Sequence, residues 1–140
     1  MIKICFVCTG NTCRSVMAEA LTKSLLKKQK IEDVKVSSRG LFATGEPIAK
    51  NAILALKKLG VSQRSKKSVK LGKIDKKTIY IAMTEAHKQM IKSEKVISFS
   101  SLIGEDVPDP YGQELDAYEN VAKLIKSGVE KLIEIIKKWR

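Results

Sequence analysis

The chain has 140 residues, 44% of them hydrophobic, which is enough for a packed core and too much for a disordered segment. Lysine and arginine outnumber aspartate and glutamate by 27 to 15, giving a net charge of +12. The seven aromatics do not interleave with the basic run Arg64, Lys66, Lys67, Lys70, Lys73, Lys76 and Lys77 as a stacking platform needs, so the bases read as a solvated surface. A nucleic-acid-binding module is the alternative, which salt-dependent binding without catalytic turnover would favour. Three cysteines, an odd count gathered at Cys5, Cys8 and Cys13, argue against a secreted disulfide framework. No leader-type opening and no apolar run of about 20 residues is present. The expectation is a cytoplasmic, monomeric protein of one domain, residues 1–140, without specific nucleic-acid or membrane partners.

Lys3–Val7 is a short apolar run of β type that stops at the turn signal Thr9-Gly10-Asn11. From Ser15 to Lys30, apolar residues recur at helical spacing through Met17, Ala18, Leu21, Leu25 and Leu26. A strand, a tight loop and a helix therefore follow one another. Val34–Ser37 reads as a second strand. Pro47 is expected to open a helix running to Leu59 and closed by Gly60. Thr78–Ala82 is a third strand, followed by a short helix near Glu85–Ile91, and Lys95–Phe99 is a fourth strand. Pro108 and Pro110 hold the next segment as a loop. Leu115–Trp139 then carries the helical stripe Val121, Leu124, Ile125, Val129, Leu132, Ile135 and Ile136. Apolar strands alternating with helices predict an α/β fold, a three-layer sandwich with a four-stranded parallel sheet and helices on both faces. Ligands in such sheets bind beyond the carboxyl ends of the strands, where Cys8 stands.

The segment Cys8-Thr9-Gly10-Asn11-Thr12-Cys13-Arg14-Ser15 joins the first strand to the first helix. A loop in this position can turn successive backbone N–H groups inward as an anion nest, with the positive end of the helix dipole behind them. Gly10 and Asn11 are the residues suited to the positive φ such a loop needs. Arg14 offers a planar fork for two phosphate oxygens. In that field Cys8 is expected as a thiolate, and a thiolate beside a tetrahedral oxyanion points to attack on phosphorus. Three cysteines and a remote His87 do not make a structural zinc or iron–sulfur centre, so no metal and no cofactor are expected. His87, in the short helix, is expected at the surface.

Cys-x5-Arg-Ser at this place, with a distant Asp-Pro-Tyr at Asp109–Tyr111, resembles the low-molecular-weight protein tyrosine phosphatases. The similarity runs through Phe6–Glu19, Ser38–Gly40, Ala82–Thr84 and Pro108–Tyr111. The resemblance implies a phosphocysteine intermediate and no metal. It implies that Cys8 is the nucleophile, Arg14 the phosphate clamp and Asp109 the general acid. Asn11 and Ser15 would hold the loop and stabilise the thiolate, with Ser38 supporting Asn11. Thr9, Gly10, Thr12 and Cys13 would complete the phosphate loop, and Phe42 and Tyr111 would wall the pocket.

Two departures from the family pattern stand out. Val16 follows Ser15 where a proline is usual, and Gln63–Lys67 lacks the histidine that many members add to the asparagine–serine network. The wiring of that network is left open. Tyrosine-directed members often carry a branched aliphatic residue where this chain has Thr12, and Cys-Thr-Gly-Asn-Thr-Cys-Arg-Ser resembles the bacterial protein-arginine phosphatase branch. A hydroxyl there can hydrogen-bond around a guanidinium, which an aliphatic group cannot. Thioredoxin-linked arsenate reductases share the loop but need cysteines beyond Cys13, and none follows. The expected function is hydrolysis of protein phosphoarginine, with phosphotyrosine as the alternative. The expected partners are phosphorylated protein substrates, and the product is inorganic phosphate.

Overall fold

A computed structural model describes residues 1–140. The elements in chain order are β1 (Ile2–Cys8), α1 (Arg14–Lys28), β2 (Val34–Gly40), α2 (Lys50–Lys58), β3 (Thr78–Ala82), α3 (Glu85–Met90), β4 (Val96–Ser98), α4 (Ser100–Ile103) and α5 (Leu115–Trp139). The strands form one parallel sheet in the order β2-β1-β3-β4, as expected. Cys8 pairs with Gly40 on one side of β1, and Val7 pairs with Ala82 on the other. The chain moves from β1 to one neighbour and later crosses to the other, so the strand order reverses at β1. A crevice opens at its carboxyl end.

Alternate residues of β1 feed two separate cores, following the period of two that a strand imposes. Ile4, Phe6 and Cys8 join the larger core with α1, α2 and α5, whereas Cys5 and Val7 join a smaller one with Tyr80, Ala82 and Ile91. Leu71 and Ile74 from the segment before β3 help to cover that second face, beside the short α3. The α5 stripe is realised by Val121, Ile125, Val129, Leu132 and Ile136, all buried. Each such side chain contributes roughly 1.5–3 kcal/mol by leaving water. No helix is long and apolar enough to cross a membrane.

Helix α1 is buried almost all round from Arg14 to Thr22, because the sheet, α2 and α5 enclose it. Its polar residues Arg14, Ser15 and Glu19 are therefore carried into the interior, and this enclosure positions the site. Helix α2 begins at Lys50 rather than at Pro47. Pro47 pairs with Lys67, the Ile48 N–H donates to the Lys66 carbonyl at 2.9 Å, and the Ala49 N–H donates to the Thr12 carbonyl at 2.9 Å. These ties commit the amides to tertiary partners and keep the segment extended. Helix α4 is an element the periodicity did not suggest. It has only four residues and ends at Gly104, which takes φ 82°.

Candidate active site

The loop after β1 wraps around the Cys8 sulfur. The Asn11 N–H donates to Cys8 Sγ at 3.3 Å, and the Ser15 hydroxyl lies 2.9 Å from the same atom. The left-handed turn falls on Asn11, at φ 56°, and Gly10 keeps a negative φ, contrary to the sharing expected of the pair. The amides of Gly10, Thr12, Cys13, Arg14 and Ser15 donate to no acceptor within the protein. Cys13 caps α1 without a side-chain hydrogen bond, and the first turn carries no acid. A set of uncommitted N–H groups at a helix start is what binds an anion.

Gly40 shows how tightly the loop is seated. A Cβ there would lie 2.8 Å from Thr9 O, Gly10 C and Asn11 N, all backbone atoms, so only glycine lets β2 approach the loop this closely. The Leu41 N–H donates to the Cys8 carbonyl and the Phe42 N–H to the Thr9 carbonyl, both at 2.9 Å. The chain leaving β2 is thus stitched to the loop.

Behind the loop runs a polar chain that ends on the Cys8 sulfur. The Val69 N–H donates to Asn11 Oδ1 at 2.9 Å, which fixes the orientation of the amide. Asn11 Nδ2 must then face the two serines, and it donates to Ser15 Oγ at 2.8 Å and to Ser38 Oγ at 3.0 Å. Ser15 Oγ accepts from Asn11, and its own hydrogen is available to the Cys8 sulfur when that sulfur is a thiolate. Ser38 Oγ donates onward to Glu19 Oε1 at 2.5 Å. Glu19 is held by Lys23 at 2.6 Å and Lys66 at 3.1 Å. Burial would raise the Glu19 carboxyl, but hydrogen bonds from Lys23 and Ser38 and the charges of Lys66 and Lys23 hold it below the usual carboxylate range. The wiring left open by the missing histidine is therefore completed by Glu19 and Lys66. Sequence reasoning missed both, because their meeting joins α1 to a segment 47 residues further along the chain.

Arg14 is nearly buried, with Nη1 donating to the Val107 carbonyl at 3.1 Å and Nη2 lying 3.5 Å from Thr9 Oγ1. Asp109 Oδ2 stands 3.6 Å from Arg14 Nη2, with half of the aspartate side chain open to solvent. The Tyr111 N–H donates to Asp109 Oδ1 at 3.1 Å and keeps the carboxylate turned inward. His87 corrects an expectation. It is 6% exposed rather than on the surface, and its Nε2 meets Thr9 Oγ1 at 2.8 Å. Burial, then the Arg14 charge, push its imidazole down to about 4, so it is neutral at physiological pH. A six-residue helix offers too little periodicity to reveal which face is covered.

These residues surround a cavity of about 270 Å³ lined by Cys8, Thr9, Gly10, Thr12, Cys13, Arg14, Phe42, Ala43, Thr44, Glu46, Asp109 and Tyr111. Asn11, Ser15 and Ser38 lie beneath it, buried, and reach it through the network. Thr12 Oγ1 lies 3.6 Å from Cys13 Sγ, which in turn lies 3.5 Å from the Tyr118 hydroxyl. Burial raises the Cys13 thiol, and burial together with the Cys13 contact raises the Tyr118 phenol well above its usual range. Every residue named from sequence for this site is brought to the cavity or directly beneath it. Glu46, Thr44 and Ala43 were not foreseen. No group of three or more histidine, cysteine, aspartate or glutamate side chains is arranged to hold a metal ion.

The low molecular weight phosphotyrosine protein phosphatase model matches residues 3–140, and the chain belongs to that family. It is a low-molecular-weight protein phosphatase. It is 34% identical over 140 residues to the low molecular weight protein-tyrosine-phosphatase PtpB of Staphylococcus epidermidis, covering 94% of this chain and 96% of the relative. It is also 34% identical over 143 residues to the protein-arginine-phosphatase of Geobacillus stearothermophilus, covering 94% of each chain. Among solved structures, it is similar to a mutant YwlE arginine phosphatase with a phosphorylated active-site serine. That match has a TM-score of 0.88 and 33% identity, over 99% of this chain and 98% of the other.

Proposed function

We propose that the chain hydrolyses phosphoarginine in proteins through a phosphocysteine intermediate. The observation that carries the choice of phosphoarginine is Thr12, a hydroxyl in the cavity wall where an aliphatic residue would suit an aryl ring. The similarity to proteins named arginine phosphatases supports the same reading.

In this mechanism the phosphoryl group sits on the free loop amides, with Arg14 gripping two of its oxygens. Cys8 Sγ attacks phosphorus, an S–P bond forms and the P–N bond breaks. The departing nitrogen takes the bonding electron pair and a proton from Asp109, leaving the arginine side chain intact. Water then attacks the phosphocysteine with Asp109 accepting its proton. The S–P bond breaks, inorganic phosphate forms and Cys8 is returned as thiolate. Ser15 and the Asn11 amide hydrogen-bond the sulfur whenever it carries charge. Asn11, Ser38 and Glu19 hold those donors in place.

Phosphotyrosine is the alternative, favoured by Phe42 and Tyr111 in the cavity wall and by the similarity to proteins named tyrosine phosphatases. The two readings separate when one preparation is assayed on matched phosphoarginine and phosphotyrosine peptides. Higher kcat/KM on phosphoarginine supports the proposal, and higher kcat/KM on phosphotyrosine overturns it.

A further inference from the structure

The charge lining the cavity is the reverse of the charge on the molecule. The chain carries 27 bases against 15 acids, yet the cavity is lined by one base, Arg14, and two acids, Glu46 and Asp109. Asp109 is accounted for by its approach to Arg14 at 3.6 Å. Glu46 is not. It takes part in no ion pair, despite the abundance of lysine. Its only side-chain partner is the Thr44 hydroxyl, which donates to Oε1 at 3.0 Å and leaves Oε2 uncommitted.

The segment carrying Glu46 is also fixed in place. The Ser68 N–H donates to the Glu46 carbonyl at 2.7 Å, and the next residue, Pro47, pairs with Lys67. On the other side, Phe42 is tied to the loop through the Thr9 carbonyl. The carboxylate therefore belongs to a wall anchored at both ends.

A carboxylate at that wall has opposite consequences for the two candidate substrates. Against a phosphorylated phenol it supplies only repulsion toward the phosphate dianion, since the ring offers neither positive charge nor a donor. A phosphorylated guanidinium brings positive charge and N–H groups immediately beyond the P–N bond. Those groups can donate to Oε2 while the phosphoryl group occupies the loop.

We propose that Glu46 is a specificity-determining residue, accepting a hydrogen bond from the guanidinium of phosphoarginine and disfavouring aryl phosphates. The inference rests on the arginine reading above and adds a residue to it. Because Glu46 is exposed, water and salt screen its contribution and the effect is modest.

The test measures kcat/KM on matched phosphoarginine and phosphotyrosine peptides for wild type, Glu46→Gln and Glu46→Lys. Glu46→Gln keeps the size and the Thr44 contact but removes the charge, and should lower the phosphoarginine-to-phosphotyrosine ratio by about 3- to 10-fold, mainly through KM. Glu46→Lys should lower it further and should raise kcat/KM on phosphotyrosine. If wild type prefers phosphoarginine and both variants keep its ratio within about twofold, the role of Glu46 is overturned while the arginine reading stands. If wild type prefers phosphotyrosine, the arginine reading falls and takes this inference with it.

Discussion

Cys8, Asn11 and Ser15, at the floor of the cavity, are 2%, 2% and 0% exposed, whereas Phe42 and Tyr111 at its mouth are 60% and 66% exposed. On the floor, each polar side chain points at a named partner, from Lys66 through Glu19, Ser38, Asn11 and Ser15 to the Cys8 sulfur. At the mouth, Glu46 and Asp109 hold one or two hydrogen bonds each and otherwise face solvent. A floor whose side chains are held by one another and whose loop amides are left free suits the phosphoryl group, the part shared by every substrate. The open mouth meets the leaving group, the part that differs. Floor substitutions should therefore lower turnover of all phosphorylated substrates alike, and mouth substitutions should change the ratio between them.

The largest effect is expected at the centre of the floor. Cys8→Ser should abolish turnover, by about 10⁴-fold or more, while phosphate-type ligands still bind, because a serine hydroxyl has no adjacent base and is not ionised. Substantial turnover in a preparation free of wild type would remove Cys8 as nucleophile. Gly40→Ala attacks the floor from below, where the new methyl group meets three loop backbone atoms at 2.8 Å. A displacement approaching 1 Å costs about 10²-fold. Phosphoarginine and phosphotyrosine activities should fall by similar factors, and an unchanged kcat/KM would show that the loop tolerates the shift.

At the mouth, Asp109→Asn should cost about 10²- to 10⁴-fold on substrates with poor leaving groups and much less on an activated aryl phosphate, which departs without a proton. An equal loss on both would count against an acid role. The smallest effect concerns His87, which ties the floor to α3. Its imidazole titrates at about 4 in the folded chain against 6.5 when free. The unfolded chain therefore takes up a proton that the folded chain refuses. Stability should drop as pH falls from about 6.5 toward 4, with no contribution from this group above that window. Glu19, whose folded carboxyl is lowered, acts in the same direction, its contribution being lost as pH falls through the folded value. Melting temperatures across this range should show a shallower slope for His87→Gln than for wild type, and an identical slope would separate His87 from the acid sensitivity.

The same division between floor and mouth governs what could be read from the chain. Residues 8–15 are contiguous, and their meaning depends on a strand before them and a helix after them, so sequence alone supplied the loop and its central cysteine. The α5 stripe was legible for a similar reason, since its burial follows a local period. The partners that complete the floor were not. Lys66 and Val69 reach Glu19 and Asn11 from segments 47 and 58 residues away, through contacts that no local pattern encodes. The start of α2 at Lys50 is set by contacts of the same kind. Proline at 47 is a reasonable first helical residue, but three tertiary ties outweigh that preference. His87 and Glu46 belong to short or irregular segments, where neither periodicity nor a motif marks which side faces the cavity.

Thr12 is where floor and mouth meet, since it belongs to the loop and also lines the cavity. The most direct measurement is kcat/KM on matched phosphoarginine and phosphotyrosine peptides for wild type and Thr12→Ile. The expected result is a wild type that prefers phosphoarginine and a variant whose preference falls by about 10- to 150-fold, equivalent to a lost hydrogen bond to a charged group, while phosphotyrosine turnover is kept or improved. A wild type that prefers phosphotyrosine, or a ratio that Thr12→Ile leaves unchanged, would contradict it.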